Sequence, residues 1–158
     1  MKYYAVLDTN VLISSLLTQK TDTATALVIN AVAEGDIIPL YNEDIIGEYE
    51  EVLKRDKFAF SEGKINRILH MIRQFGLSII PTPTGEILPD MDDLIFYEVV
   101  MEKREDDAYL VTGNIRHFPT RDYIVTPAEM MDIINADKDS TGSEESQAVH
   151  ADDENSAE

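Results

Sequence analysis

The residues of this sequence with the most chemical potential are oxygen donors at the ends of short apolar runs. Ala5-Val6-Leu7 leads straight into Asp8-Thr9-Asn10, and Tyr109-Leu110-Val111 leads into Thr112-Gly113-Asn114. Two further acidic groups lie between them: Glu43, Asp44, Glu48, Glu50 and Glu51 in one amphipathic stretch, and Asp90, Asp92 and Asp93 after a proline-rich loop. A carboxylate at the end of a buried strand is costly unless something compensates its charge, and no Lys or Arg stands near Asp8 in the sequence. Hard divalent cations such as Mg2+ or Mn2+ take oxygen donors of this kind and keep waters and substrate phosphates as further ligands. Asp8, one acid of the 43–51 stretch, Asp93 and the amide oxygen of Asn114 form such a candidate site, with Thr9, Asn10 and Thr112 behind it to hold the ligand oxygens.

Each of these residues also has a plainer reading. Asp8 can cap the helix that follows it, and Asp90 with Asp93 can form a capping pair at the next one. On a helical wheel, Ile45, Ile46, Tyr49, Val52 and Leu53 make one apolar stripe, and only Glu48 and Glu50 lie just off its two edges. Spacing alone leaves those two open. Asp93 shares the helix face of Tyr97 and Val100, which places its carboxylate at the rim of the core. Arg116 and His117, directly after the fourth strand, can meet a phosphate backbone. The three histidines are scattered, so no histidine metal site is indicated. Walker, dinucleotide-binding and nucleophile-elbow motifs are absent.

Short apolar strands at 2–7, 36–40, 77–81, 108–113 and 122–125 alternate with helical stretches at 8–17, 21–35, 43–55, 61–76 and 90–104, and a last helix opens with the capping box Thr126-Pro127-Ala128-Glu129. Alternation of this kind predicts a parallel α/β sheet covered on both faces, with ligands binding outside the carboxyl ends of the strands. Both polar strand endings point to that edge.

The net charge is -18 over 158 residues, of which residues 1–135 carry -11. A basic face for nucleic acid is therefore missing, but bound cations invert the local field and admit a polyanion to an acidic cleft. Residues 136–158, acidic and without aromatics, are expected to be a disordered tail beyond a domain at 1–135. No cysteine, membrane-length apolar run or signal-like N-terminus is present, so a cytoplasmic protein without thiol chemistry is expected.

Four ordered stretches, LDTNVLISSLL, IIGEYEEVLKRDKF, PDMDDLIFYEVV and DAYLVTGNIRHFP, resemble the PIN-domain family of metal-dependent nucleases, in the branch of toxin-antitoxin toxins. The resemblance spans nearly everything from Tyr3 to Ile134. It implies a three-layer fold with a five-stranded parallel sheet of order 3-2-1-4-5, and a catalytic set of Asp8, Glu48 rather than Glu50, Asp93 and Asn114, the first three holding Mg2+ or Mn2+. It further implies an RNA substrate, a small antitoxin partner and a homodimer. The fourth family position is often aspartate, whereas here it is Asn114, which adds no charge. A PIN fold that binds without cutting is the alternative. A phosphotransfer receiver is disfavoured because the third strand lacks an aspartate and no lysine follows the fifth. A haloacid-dehalogenase-type phosphatase would want aspartate at position 10, which is asparagine.

Overall fold

The structure is a computed structural model that describes residues 1–139. Five parallel strands, β1 (Tyr3–Leu7), β2 (Ile37–Tyr41), β3 (Leu77–Ser78), β4 (Tyr109–Val111) and β5 (Ile124–Val125), form one sheet in the order β3-β2-β1-β4-β5. This is the order implied by the resemblance. Helices α1 (Thr9–Leu17) and α2 (Ala24–Glu34) connect β1 to β2, α3 (Glu43–Leu53) and α4 (Glu62–Phe75) connect β2 to β3, and α5 (Leu94–Glu102) leads into β4. A final helix, α6, runs from 127 through 139. α1 packs on α2 and α3, α4 packs on α2, α3 and β2, and α5 packs on β1, β2 and β4 as the chain returns past β1 to the other half of the sheet.

β1 is buried from Ala5 to Leu7, as a strand with helices on both faces must be. The helix ends follow local chemistry. Asn42 Oδ1 accepts from the Ile45 N–H, and Gly35 closes α2 in the left-handed region, φ 86°. Thr126 and Glu129 exchange side-chain-to-backbone bonds at 3.0 and 3.1 Å, the expected capping box.

Three expectations shift. The third strand pairs only at Leu77 and Ser78, with one more bond from the Ile79 N–H to the Tyr41 carbonyl, rather than over 77–81. Pro81 has no N–H to donate, and Thr82 and Thr84 are drawn away from the sheet by the Glu102 and Glu98 carboxylates of α5. The helix expected over 90–104 begins as a 3-10 turn, Met91–Asp93, before α5 proper. Finally α6 continues past 135, and Asp137 and Lys138 pair with the N-terminal amine and Asp36. The rest of the expected tail, 140–158, lies outside the described residues.

Candidate active site

The sheet reverses its order between β1 and β4, and the crevice outside the carboxyl ends of two such strands is where α/β folds bind ligands. Asp8 and Thr112 are the residues that follow those two strands. Leu7 pairs with Val111, and the Asp8 N–H donates to the Val111 carbonyl, so the two polar endings emerge side by side.

Asp8 is 5% exposed and its carboxylate accepts three hydrogen bonds. The Thr9 N–H donates to Oδ1 at 2.8 Å, which is the capping reading, while Asn10 Nδ2 and the Thr112 hydroxyl donate to Oδ2 at 2.9 and 2.7 Å. The Thr112 hydroxyl accepts in turn from the Asn114 N–H, and Asn10 Oδ1 accepts from the Gly113 N–H. Asp8 is thus both a helix cap and the centre of a network joining the two strand ends. Burial pushes its carboxyl pKa up, and the bonds from Thr112, Thr9 and Asn10 oppose that rise.

Glu48 reaches the same edge through its neighbour. Tyr49 is fully buried and its hydroxyl donates to the Leu7 carbonyl, which pins α3 to the last residue of β1 and leaves Glu48 half-buried facing the acids. Burial raises the Glu48 pKa, helped by the charges of Glu51, Asp92 and Asp8 and opposed by Arg55. Glu50 instead points to solvent and pairs with Lys54 at 2.6 Å. The fold therefore brings Glu48, and not Glu50, to Asp8.

Asp90 caps the 3-10 turn by accepting from the Asp92 N–H, whereas Asp93 caps nothing. Its Oδ2 is buried, and His117 Nδ1 stands 3.3 Å away without making a hydrogen bond to it. Burial, and then the charges of Asp8 and Asp90, push its pKa to about 6, with His117 opposing. Asn114 has an exposed side chain, and Arg116 is exposed and enters no ion pair among the described residues.

The residues present fit a divalent cation by their chemistry: three acids at one edge of the sheet, each with a raised pKa, and one buried carboxylate oxygen without a hydrogen bond. Asp8, Glu48 and Asp93 would hold it. Among the described residues, no three Asp, Glu or His side chains stand close enough to enclose an ion unaided. Sequence reasoning missed the Tyr49 anchor and the His117 contact with Asp93. An aromatic in the apolar stripe directly after an acid was the available signal for the first.

No curated protein and no solved structure gives a significant match. A family model described as PIN domain matches residues 4–116, from β1 to just beyond Asn114 and across all three acids. PIN domains are generally nucleases and typically use divalent metal ions. By that match, the chain belongs to the PIN-domain family.

Proposed function

We propose that this protein is a Mg2+- or Mn2+-dependent endoribonuclease acting as the toxin of a toxin-antitoxin pair. The observation that carries the nuclease reading is the buried, donorless Asp93 Oδ2 set against the Asp8 carboxylate at the switch point of the sheet. A carboxylate whose pKa is raised by burial and then by the charge of Asp8, with His117 opposing, suits a positive ligand in a partly buried cleft. When bound, the cation supplies Lewis acidity toward a phosphate oxygen and lowers the pKa of a water.

The protein's own groups then position and exclude. Thr9, Asn10 and Thr112 fix the orientation of the Asp8 carboxylate, with Oδ1 carrying one of the three bonds and Oδ2 two. Glu48 and Asp93 close the ligand set, and Asn114 offers an amide oxygen without charge. Arg116 and His117, on the turn that follows, meet the RNA phosphates. The toxin assignment rests on the resemblance to that branch, and a small antitoxin, a homodimer and a cytoplasmic location belong to the same proposal. So does the division into a nuclease domain ending near 135 and an acidic tail. Among the described residues no helix is long and apolar enough to cross a membrane.

A second reading, a PIN fold that binds RNA without cutting it, is favoured by the neutral Asn114 and by the open arrangement of the acids. The test is cleavage of a mixed set of labelled RNAs and matched DNAs in Mn2+, in Mg2+ and in EDTA. Metal-dependent cutting of RNA, lost in Asp8→Asn with the fold intact, is the expected result. RNA retained on the protein but uncut in every metal would select the binding reading.

A further inference from the structure

A groove of about 650 Å3 shares no residue with the acidic site. It lies among the end of α1 with its following loop, α2 and α4. Its apolar floor includes Leu16, Ile29, Ile68 and Met71, and Lys20, Lys64 and Arg67 stand around it. No Asp or Glu lines it, in a chain with 31 acids against 13 Lys and Arg. None of the three cations enters an ion pair among the described residues. On an acidic protein, this groove is prepared for an acidic occupant with a small apolar centre.

We propose that the occupant is the chain's own segment 140–158. Its sequence has that pattern: Glu144-Glu145, then Ala148-Val149-His150-Ala151, then Asp152-Asp153-Glu154, with no Lys or Arg anywhere in it. Its starting point is also right. Lys138 Nζ lies 2.8 Å from Asp36 Oδ2, just past the end of α2, and Ala33 of α2 lines the groove. The 19 residues from 140 to 158 reach on the order of 60 Å when extended. The α2 wall from Ala26 to Ala33 rises only about 10 Å. Tethering supplies an effective concentration of about millimolar, so contacts too weak for a separate partner suffice here. Acids outnumber Lys and Arg over the rest of the chain, which disfavours an acidic segment elsewhere on the surface. The apolar floor suits the Ala148-Val149 pair by chemistry, and Lys20, Lys64 and Arg67 suit the flanking acids. An acidic partner segment of similar pattern would have to displace it. The inference stands independently of the nuclease reading.

Because the chain has no cysteine, a nitroxide on Ser146→Cys in the full chain is site-specific. The probe is the loss of methyl signals from Ile29, Ile68 and Met71, with Ile124 and Val125 in β5 as the remote control. Docking in cis predicts selective loss at the groove, recovered in about 1 M salt, where the screening length is about 3 Å. It is also recovered in Lys64→Glu/Arg67→Glu, whose helix content by circular dichroism checks the fold. Loss that is absent or spread evenly over the protein overturns the proposal, as does loss unmoved by salt. Selective loss in a mixture of spin-labelled unenriched chains with enriched unlabelled chains would assign the groove to the tail of another copy and overturn the cis assignment.

Discussion

The Thr112 hydroxyl donates to Asp8 Oδ2 at 2.7 Å, a bond between residues 104 positions apart that ties β4 to β1 where the sheet reverses its order. Asn10 completes the tie, since its amide nitrogen also reaches Oδ2 while its oxygen holds the Gly113 N–H. The aim of the central carboxylate is thus set by groups that follow two different strands.

Thr112→Val keeps the shape and removes the donor. Leaving a buried carboxylate short of one hydrogen bond costs about 1–3 kcal/mol, and a lost partner behind a ligand lowers metal affinity by about 10- to 100-fold. Thermal unfolding and Mn2+ titration should both register the loss, and Thr112→Ser should restore both. A valine variant indistinguishable from wild type would remove the bond from the account.

Glu48→Gln should abolish metal-dependent cleavage, whereas Glu50→Gln should leave turnover and Tm where they were. Glu50 is a solvent-exposed member of a surface pair with Lys54, and such pairs contribute little. Parallel kinetics on the two variants check this, and equal losses would mean that α3 presents its acids differently.

Asp93 titrates near pH 6 in the folded protein, above its ordinary value of 3.8. A raised folded-state pKa means that its favourable contribution is full below about pH 4 and is lost as pH rises through 6. Asp8 and Glu48 are shifted in the same direction. In EDTA, Asp93→Asn should therefore raise Tm at pH 7.5 and have a smaller effect at pH 4.5. Divalent cation competes with the same protons, so Mn2+ should raise wild-type Tm more at pH 7.5 than at pH 5. A variant destabilised at pH 7.5 in EDTA would contradict the sign.

Gly76 joins α4 to β3 at φ -92°, so its role is space and not backbone freedom. A Cβ there would sit 2.3 Å from the Ile72 carbonyl oxygen and 2.5 Å from that of Pro39. Both obstacles are backbone, and overpacking of this kind costs about 1–3 kcal/mol. Denaturant unfolding of Gly76→Ala should show it, while Gly47→Ala, which meets nothing, should be neutral or stabilising.

Much of this was legible before the fold. Polar triplets ending two apolar strands located the edge, and Asn42, Gly35 and the Thr126–Glu129 box marked helix ends through local chemistry that needs no tertiary information. The wheel narrowed α3 to two acids and stopped there. The deciding facts, the Tyr49 bond to Leu7 and the Glu50 pair with Lys54, depend on how the helix docks and which rotamers solvent leaves free. Asp93 and His117 meet only because a loop and a strand end fold together. β3 was overcounted because an edge strand followed by proline looks apolar for longer than it pairs.

The central claim is that Asp8, Glu48 and Asp93 together hold a divalent cation, and Mn2+ titration followed by electron paramagnetic resonance at pH 7.5 tests it most directly. The account predicts saturable binding to the wild-type chain, lost or weakened in Asp8→Asn, Glu48→Gln and Asp93→Asn and unchanged in Glu50→Gln. Binding equal in all five proteins, or absent from a folded wild type even with RNA present, would contradict it.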